Sequence, residues 1–392
     1  MSFADLLTVV RRYLYLPDPS PLEVVLGTVV GNRIDGDPVW LLLVGPPSSG
    51  KTELLAGLSA LSDVYPVSTF TEAGLLSGGT SHRPGATGGL LAEMGTFGII
   101  VCKDFTSLLS EAPQTRSGLV AALREIYDGC WIRRLGADGG RTLVWAGKCG
   151  LLAAVTETIE RHSAVIGAMG ERFVWLRMPE LDDEGRLAQA RASAANVGRQ
   201  AEMRADLAQA IAGFLAEVTV PPVTALSADE REALVLLADL ATRCRSVVER
   251  DPRDREIELI PQPEAASRML AALTQLVSGL LAIGIERAEI GRLVLKVALD
   301  GMPKARRMIV EHLLGMPVGM APRSSAIADI LGLPTSATTR ALEELAAHGV
   351  VERNASGNVH CWSAPAWLTE RWTALGLPTR GRFAPPSSEE SS

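Results

Sequence analysis

Apolar stretches that alternate with amphipathic ones make up the first half of the chain. The run from Val39 to Val44 is apolar throughout, which is typical of a parallel strand buried on both faces. Four later segments have similar strand-like patterns: 64–71, 97–103, 148–156 and 172–178. Because helical stretches separate these strands, the pattern predicts an α/β domain with a three-layer, mainly parallel sheet.

The second half of the chain has a helical pattern. Residues 182–216 are rich in Ala, Arg, Glu and Leu, and helices are also predicted over 226–250 and 263–315. Two short helices and a hairpin are then predicted within 321–362, which is the pattern of a winged helix. We therefore predict a lead-in over 1–24, a core over 25–180, a helical lid and linker over 181–315, a winged-helix domain over 316–375 and a disordered tail over 376–392.

Composition narrows the class of protein. The chain has 392 residues, of which 47% are hydrophobic and 21% charged, as in ordinary globular proteins. No apolar run reaches the roughly 18 residues that a membrane span needs, and no signal peptide is recognisable. The five cysteines are scattered, which predicts neither disulfides nor zinc and favours a cytoplasmic protein. A net charge of −7 provides no overall attraction to nucleic acid, so any DNA contact must be local.

A phosphate-binding loop follows the first predicted strand. The sequence GPPSSGKT satisfies the pattern G-x-x-x-x-G-K-[ST] between a buried strand and a helix, the context that this motif requires. Its residues are Gly45, Pro46, Pro47, Ser48, Ser49, Gly50, Lys51 and Thr52. Loop amides would bind the phosphates of ATP, Lys51 would neutralise their charge, and Thr52 would ligate Mg²⁺. The motif predicts a P-loop NTPase.

A second candidate metal ligand closes the third predicted strand. In IIVCKDF, Asp104 follows an apolar run and is expected to hold Mg²⁺ directly or through water. It could also cap the helix that begins after it. The next residue is Phe105, which cannot accept a proton, so this position supplies no general base for hydrolysis.

The order of features over about 25–300 resembles AAA+ ATPases, in particular the minichromosome maintenance helicases and related replication ATPases of phages and mobile elements. This resemblance implies that Thr156 occupies the sensor 1 position, that Arg172 acts as an arginine finger in trans and that Arg268 is the sensor 2 arginine. It also implies that the predicted hairpin 131–145 faces DNA. The same resemblance implies that the chain forms a homo-oligomer, for example a hexameric ring. The alternatives are a strand-end hydroxyl for Thr156 and exposed surface charges for both arginines.

A different resemblance supplies a catalytic base. The order GPPSSGKT, STFTEAG and an Asp without a following Glu is similar to RecA-type recombinases, which implies that Glu72 activates water. Glu72 is expected at the end of the second strand, beside the Asp104 strand. Glu157 is the alternative base, and Glu72 could instead belong to the first turn of a helix. A switch that binds nucleotide without hydrolysing it is a third possibility.

The predicted winged helix has a candidate DNA-binding surface. Five residues at the start of its second helix and one in the hairpin are expected to face outward: Thr335, Ser336, Thr338, Thr339, Arg340 and Arg353. Residues 321–382 hold six arginines against five acidic residues, a net charge of +1, so a protein partner is the alternative.

Together these features predict an ATP-hydrolysing, oligomeric, DNA-associated motor, helicase-like or otherwise associated with replication of a phage or mobile element. Two other functions fit the same residues. One is a transcriptional regulator whose DNA binding depends on ATP, and the other is an ATPase that remodels proteins.

Overall fold

The computed structural model describes residues 1–77, 88–135, 141–162, 172–224, 226–251, 253–317, 319–356 and 359–376. The chain divides into two compact units, each built from two segments. The larger unit comprises Met1–Ala225 and Arg268–Val297, and the smaller comprises Leu226–Ser267 and Ala298–Ser392. Residues 268–297 follow the first segment of the smaller unit in sequence and return to the larger unit. The predicted disordered tail lies almost entirely outside the described residues.

A five-stranded parallel sheet lies at the centre of the larger unit. The strands of this unit are β1 (Trp40–Val44), β2 (Val64–Val67), β3 (Phe97–Cys102), β4 (Cys130–Leu135), β5 (Arg141–Ala146), β6 (Lys148–Val155) and β7 (Phe173–Arg177). The sheet order is β2-β3-β6-β1-β7, and its pairs are parallel. All its strands therefore end at one edge, called here the carboxyl edge, and begin at the opposite amino edge.

Helices cover both faces of this sheet. The helices up to residue 216 are α1 (Phe3–Tyr13), α2 (Ser20–Arg33), α3 (Lys51–Ala56), α4 (Glu72–Leu75), α5 (Leu90–Met94), α6 (Thr106–Leu109), α7 (Pro113–Tyr127), a 3₁₀ helix (Glu157–His162), α8 (Asp183–Ala195) and α9 (Gln200–Ala216). Leu123 of α7 lies in the same hydrophobic cluster as Leu42 of β1. The alternating residues Leu41 and Leu43 are also fully buried, and α2 contacts β1 and β6. The predicted three-layer α/β arrangement is present.

The second predicted strand is shorter than the sequence suggested. It was expected over 64–71 but ends at Val67. The hydroxyl of Thr71 accepts a hydrogen bond from the amide of Gly74 at 2.9 Å and caps α4, so Glu72 begins a helix rather than ending a strand. β2 is an edge strand, which is where a proline such as Pro66 is tolerated.

The predicted hairpin after α7 is confirmed as the antiparallel pair β4–β5. Trp131 lies opposite Trp145, and both side chains are buried. Trp145 Nε1 donates to the carbonyl oxygen of Gly95 at 2.7 Å, which ties the hairpin to the segment before β3. Residues 136–140, which connect the two strands, lie outside the described residues.

The smaller unit is built from helices and two short antiparallel strand pairs. Its elements are α10 (Ala228–Arg245), β8 (Glu249–Arg250), β9 (Ile257–Leu259), α13 (Lys304–Leu314), α14 (Ser324–Leu331), α15 (Thr335–Ala347), β10 (Glu352–Ser356), β11 (Val359–Ser363) and α16 (Ala366–Ala374). Between its two segments run α11 (Ser267–Ala282) and α12 (Arg287–Asp300). β10 and β11 pair antiparallel, and the apolar side of α15 is buried through Leu342 and Leu345. In the described part of the chain, no helix combines the length and apolarity of a membrane span.

Helices α2 and α11 approach each other through glycines. A Cβ atom on Gly279 would lie 1.9 Å from the carbonyl oxygen of Gly27 and 2.7 Å from the amide nitrogen of Gly31. The obstructing atoms belong to the backbone, which cannot rotate aside as a side chain can. The contact therefore depends on the absence of side chains, and it holds α11 against α2 within the larger unit.

Replacing Gly279 with alanine should destabilise the larger unit by about 3 kcal/mol, the cost of overpacking a tight interior. The matched control is Gly291→Ala in α12, where nothing lies within 4 Å of the added Cβ. That change should be neutral or stabilise by up to about 1 kcal/mol, since alanine favours helix more than glycine does. Urea unfolding with hydrogen exchange of α2 and α11 peptides measures both. Equal stability of the two variants would contradict the close backbone contact.

Candidate functional site

The phosphate loop leaves the carboxyl edge of the sheet at β1. The amide of Gly45 donates to the carbonyl oxygen of Val155 at 3.3 Å, so the start of the loop is held against β6. A Cβ atom on Gly45 would lie 2.9 Å from the side chain of Met178, which explains glycine at this position. Ser48 and Gly50 adopt positive φ angles of 65° and 86°, which turn the chain sharply into α3.

Lys51 is folded onto this loop. Its ammonium group donates to the carbonyl oxygens of Gly45 at 2.8 Å and Pro46 at 2.6 Å, and to Ser49 Oγ at 3.0 Å. The residue is only 7% exposed. Burial lowers the pKa of the Lys51 ammonium, and the nearby Glu157 carboxylate acts in the opposite direction. A buried ammonium group beside a loop of this sequence can bind the negative charge of a phosphate group.

Thr52 and Asp104 lie at the same carboxyl edge. Thr52 is the exposed second residue of α3. Asp104 is exposed and follows β3, which is separated from β1 by β6 alone. Its Oδ1 accepts from the amide of Thr106 at 3.1 Å, so its carboxylate also caps the next turn. A hydroxyl and a carboxylate are the oxygen ligands that Mg²⁺ prefers, so these two residues fit the implied ion.

Phe105 points away from this edge into the core. Its side chain is fully buried, with ring centroids 5.9 Å from Phe70 and 5.6 Å from Phe173. Its amide donates to the carbonyl oxygen of Ala154 at 3.0 Å, which fixes the direction of the backbone. An acidic side chain here would be buried among aromatic rings, so the site must take any base from elsewhere.

Thr156 and Glu157 follow β6 directly beside the loop. The amide of Thr156 donates to Thr106 Oγ1 at 3.2 Å, and its hydroxyl lies 2.5 Å from Thr158 Oγ1. Glu157 begins the 3₁₀ helix, and its charge acts to raise the pKa of the Lys51 ammonium against the effect of burial. Both residues therefore lie where β6 borders the phosphate loop.

Glu72 lies farther along the sheet edge. It follows β2, which is separated from β1 by β3 and β6, and strands are spaced about 4.8 Å apart. Its Oε2 is 3.8 Å from Arg133 of the hairpin, and its Oε1 lies against Gly118 of α7. The Glu72 carboxylate therefore lies between α7 and the hairpin.

Arg172 lies at the amino edge, opposite to the loop. It precedes β7, is 3% exposed, and donates from one nitrogen to both carboxylate oxygens of Asp128 at 2.9 and 2.7 Å. Its guanidinium also stacks over Tyr127 at 5.2 Å. The predicted role as an arginine finger requires a guanidinium that can reach another subunit. The Arg172 guanidinium is buried and ion-paired, so it does not meet that requirement in this conformation. Positions 170 and 171, which precede Arg172 in the sequence GERF, lie outside the described residues.

Arg268 also lies at the amino edge. It lines a cavity of about 200 Å³ together with Asp37, Tyr127, Asp128 and Lys148. Asp37 precedes β1 and Lys148 begins β6, so this cavity is at the amino edge, whereas the phosphate loop follows β1 at the carboxyl edge. A sensor 2 arginine would lie beside the phosphate loop, and Arg268 does not. The order of features along the chain gave no indication of which edge it would reach.

Three residues at the carboxyl edge of the sheet were not predicted from the sequence: Arg177, Glu160 and Lys296. Arg177 ends β7 beside Val44, and its guanidinium is 2.7 Å from Glu160 Oε1 of the 3₁₀ helix. Lys296 of α12 donates to the carbonyl oxygen of Arg177 at 3.1 Å. Only Arg177 had a signal in the sequence: it ends the otherwise apolar strand FVWLR. A charged residue in that position is rarely buried without a partner, so it is a candidate for an ion pair or a ligand.

The predicted DNA-binding residues divide into exposed and buried ones. Thr335, Ser336 and Arg340 are exposed at the start of α15, and Thr339 is partly exposed. Thr338 is fully buried, and its hydroxyl donates to the carbonyl oxygen of Pro334 at 3.2 Å. The prediction that Thr338 points outward is therefore wrong, because it lies on the same side of the helix as the core residues.

Arg353 lies on β10, where its side chain is exposed. It contacts His360 and stacks over Trp362 at 5.9 Å. Part of the predicted wing turn, residues 357 and 358, is outside the described residues. Arg353 remains available to a ligand on the hairpin side of the smaller unit.

Comparison with known proteins adds little to this geometry. No protein-family model matches the chain, and no curated protein matches it. Among solved structures, the chain is similar to the Aeropyrum pernix Orc1 protein, whose structure was determined in complex with DNA. The match is 16% identical and covers 93% of this chain and 96% of that chain. Its TM-score of 0.27 is too low to support a conclusion about this chain.

Proposed function

We propose that the chain is a magnesium-dependent ATPase. The observation that carries this proposal is the loop Gly45–Thr52, which follows β1 and begins α3 at the edge where Asp104 and Glu157 also lie. Loop amides and Lys51 bind the phosphates, and Thr52 with Asp104 would hold Mg²⁺. Bound Mg²⁺ would supply charge neutralisation at the phosphates. The AAA+ resemblance is consistent with this function and remains part of the proposal.

Glu157 is the better candidate for the water-activating base. It follows β6, the neighbour of the loop strand β1, and its charge acts on the Lys51 ammonium. Glu72 follows β2, two strands farther away, and lies 3.8 Å from Arg133. The sequence favours Glu72 for two reasons: the resemblance to RecA-type recombinases and the expectation that the second strand reaches this residue. The strand ends at Val67, so the second reason is removed.

Glu157→Gln should therefore bind ATP and hydrolyse it at least about a hundredfold more slowly, the usual effect of losing a general base. Glu72→Gln serves as the matched control and should keep turnover within about threefold of the parent. Single-turnover hydrolysis with saturating ATP and Mg²⁺ distinguishes them. The reverse result would restore Glu72 as the base. A parent protein that binds ATP without turnover would instead indicate a switch.

We also propose that the smaller unit binds DNA as a winged helix, with α15 as its recognition helix and β10–β11 as its wing. The exposed Thr335, Ser336 and Arg340 could contact phosphates or base edges, and Arg353 could contact a phosphate from the wing. Thr338 takes no part, because it is buried.

Arg340→Ala combined with Arg353→Ala should weaken DNA binding and reduce its salt dependence by about one unit of slope for each arginine–phosphate interaction that is removed. Thr369→Ala, an exposed change on α16, is the control and should leave both quantities unchanged. Fluorescence anisotropy over a range of salt concentrations measures them. Equal affinity and slope in the double variant would exclude this surface.

The motor, the regulator and the protein remodeller differ in how DNA affects turnover. Stimulation of ATP hydrolysis by DNA together with strand displacement supports a replication-associated motor. Stimulation by one duplex sequence alone supports a regulator, and no effect of DNA supports a remodeller. A homo-oligomer, such as a hexameric ring, is proposed on the sequence resemblance alone.

A further inference from the structure

The 3₁₀ helix crosses the end of the strand that carries the phosphate loop. It starts at Glu157, immediately after β6 on one side of β1. Its Glu160 contacts Arg177 at the end of β7, on the other side of β1. Since β6 and β7 each lie one strand from β1, they are separated by about 10 Å, and the 3₁₀ helix bridges that distance. Any nucleotide on the loop would lie beside it.

Arg177 is held at this edge by its backbone and its side chain. Its carbonyl oxygen accepts from Lys296 at 3.1 Å, and the amide of the following Met178 donates to the carbonyl oxygen of Val44 at 2.8 Å. The side chain lies over the Trp175 ring at 5.6 Å and reaches Glu160 Oε1 at 2.7 Å. A fixed backbone with a long, partly exposed side chain allows the guanidinium to change partners without moving the sheet.

A triphosphate would compete with Glu160 for that guanidinium. The edge near the loop carries the carboxylates of Asp104, Glu157 and Glu160, and these repel ATP unless cations compensate. Arginine binds phosphate oxygens through two parallel N–H groups, an interaction at least as strong as that with a carboxylate. We propose that Arg177 is a second phosphate-binding cation, which exchanges its ion pair with Glu160 for the phosphates when ATP binds.

This proposal rests on the proposed ATPase function and names a binding residue for the same site. Arg177→Gln should raise the Kd for ATP roughly 10- to 100-fold, as expected for loss of a charge-assisted hydrogen bond. Arg177→Lys should recover part of the affinity, since it retains the charge without the fork. The control is Arg186→Gln on α8, which removes an exposed arginine paired with Asp183 and should leave the Kd unchanged.

Glu160→Gln tests the competition directly. It should tighten ATP binding several-fold in the parent and leave it unchanged when Arg177 is already Gln. Isothermal titration with ATP and Mg²⁺ measures all variants, and circular dichroism checks that each is folded. If Glu160→Gln tightens binding equally in both backgrounds, Glu160 acts by repulsion and the transfer is excluded.

The failure of this proposal can be separated from failure of the proposed function. If Arg177→Gln and Arg177→Lys bind ATP as the parent does while Lys51→Ala does not bind, the loop is a nucleotide site and Arg177 has no part in it. If Lys51→Ala also binds ATP normally, the proposed function itself is wrong.

Discussion

Replacing Lys51 with alanine is expected to lower ATP turnover by at least about a hundredfold and to weaken ATP binding. The reason is electrostatic: an ammonium placed in a desolvated loop stabilises phosphate charge far more than it would in water. This group donates to the carbonyl oxygens of Gly45 and Pro46. These bonds lie within the loop itself, so their loss should leave the rest of the fold intact.

Steady-state hydrolysis and ATP titration measure the effect on Lys51→Ala, with Arg186→Ala as a control that removes an exposed positive charge from α8. The control should retain parental turnover. Hydrolysis by Lys51→Ala at the parental rate would contradict the assignment of GPPSSGKT as the catalytic phosphate loop.

Replacing Phe105 with glutamate is expected to destabilise the larger unit by about 4 kcal/mol or more and to create no catalytic base. The side chain at this position is fully buried between Phe70 and Phe173. Burying a carboxylate without a partner costs several kcal/mol, and the removal of the aromatic ring from its packing adds to that cost. Much of the variant should be unfolded or aggregated.

Phe105→Leu is the matched control, since it keeps an apolar side chain and should cost only about 1–2 kcal/mol while retaining turnover. Urea unfolding and hydrogen exchange of the β3 peptide compare the two variants. A Phe105→Glu protein that is as stable as the parent and hydrolyses ATP faster would show that this side chain faces the nucleotide after all.

The phosphate loop could be predicted because its information is local. A buried strand, a glycine-rich turn and a helix start are consecutive in the sequence, so Lys51 and Thr52 need no knowledge of the remaining fold. The five parallel strands could be predicted for a similar reason, from apolar runs of strand length. The position of Asp104 at the carboxyl edge follows from the same parallel arrangement.

Residues that depend on tertiary packing could not be predicted. Arg172 and Arg268 lie at the amino edge of the sheet. This position could not be predicted, because the order of elements in the sequence does not show at which edge of the sheet a residue of a connecting segment lies. Glu72 was expected at the end of a strand, but Thr71 caps a helix of which Glu72 is the first residue. Thr338 lies between two partly exposed residues of α15 and yet is fully buried, which depends on how this helix is rotated against its core.

The glycine contact between α2 and α11 has a consequence for how the protein is made. Gly27 and Gly279 are separated by most of the larger unit and by the first segment of the smaller one. During synthesis from the amino terminus, α2 must therefore wait for α11 to emerge from the ribosome, with its apolar surface incompletely covered. Long-range contacts of this kind slow folding and expose partly folded chains to aggregation. We expect a fragment that stops at residue 225 to be poorly soluble, whereas one that extends through Val297 retains the helix that covers α2.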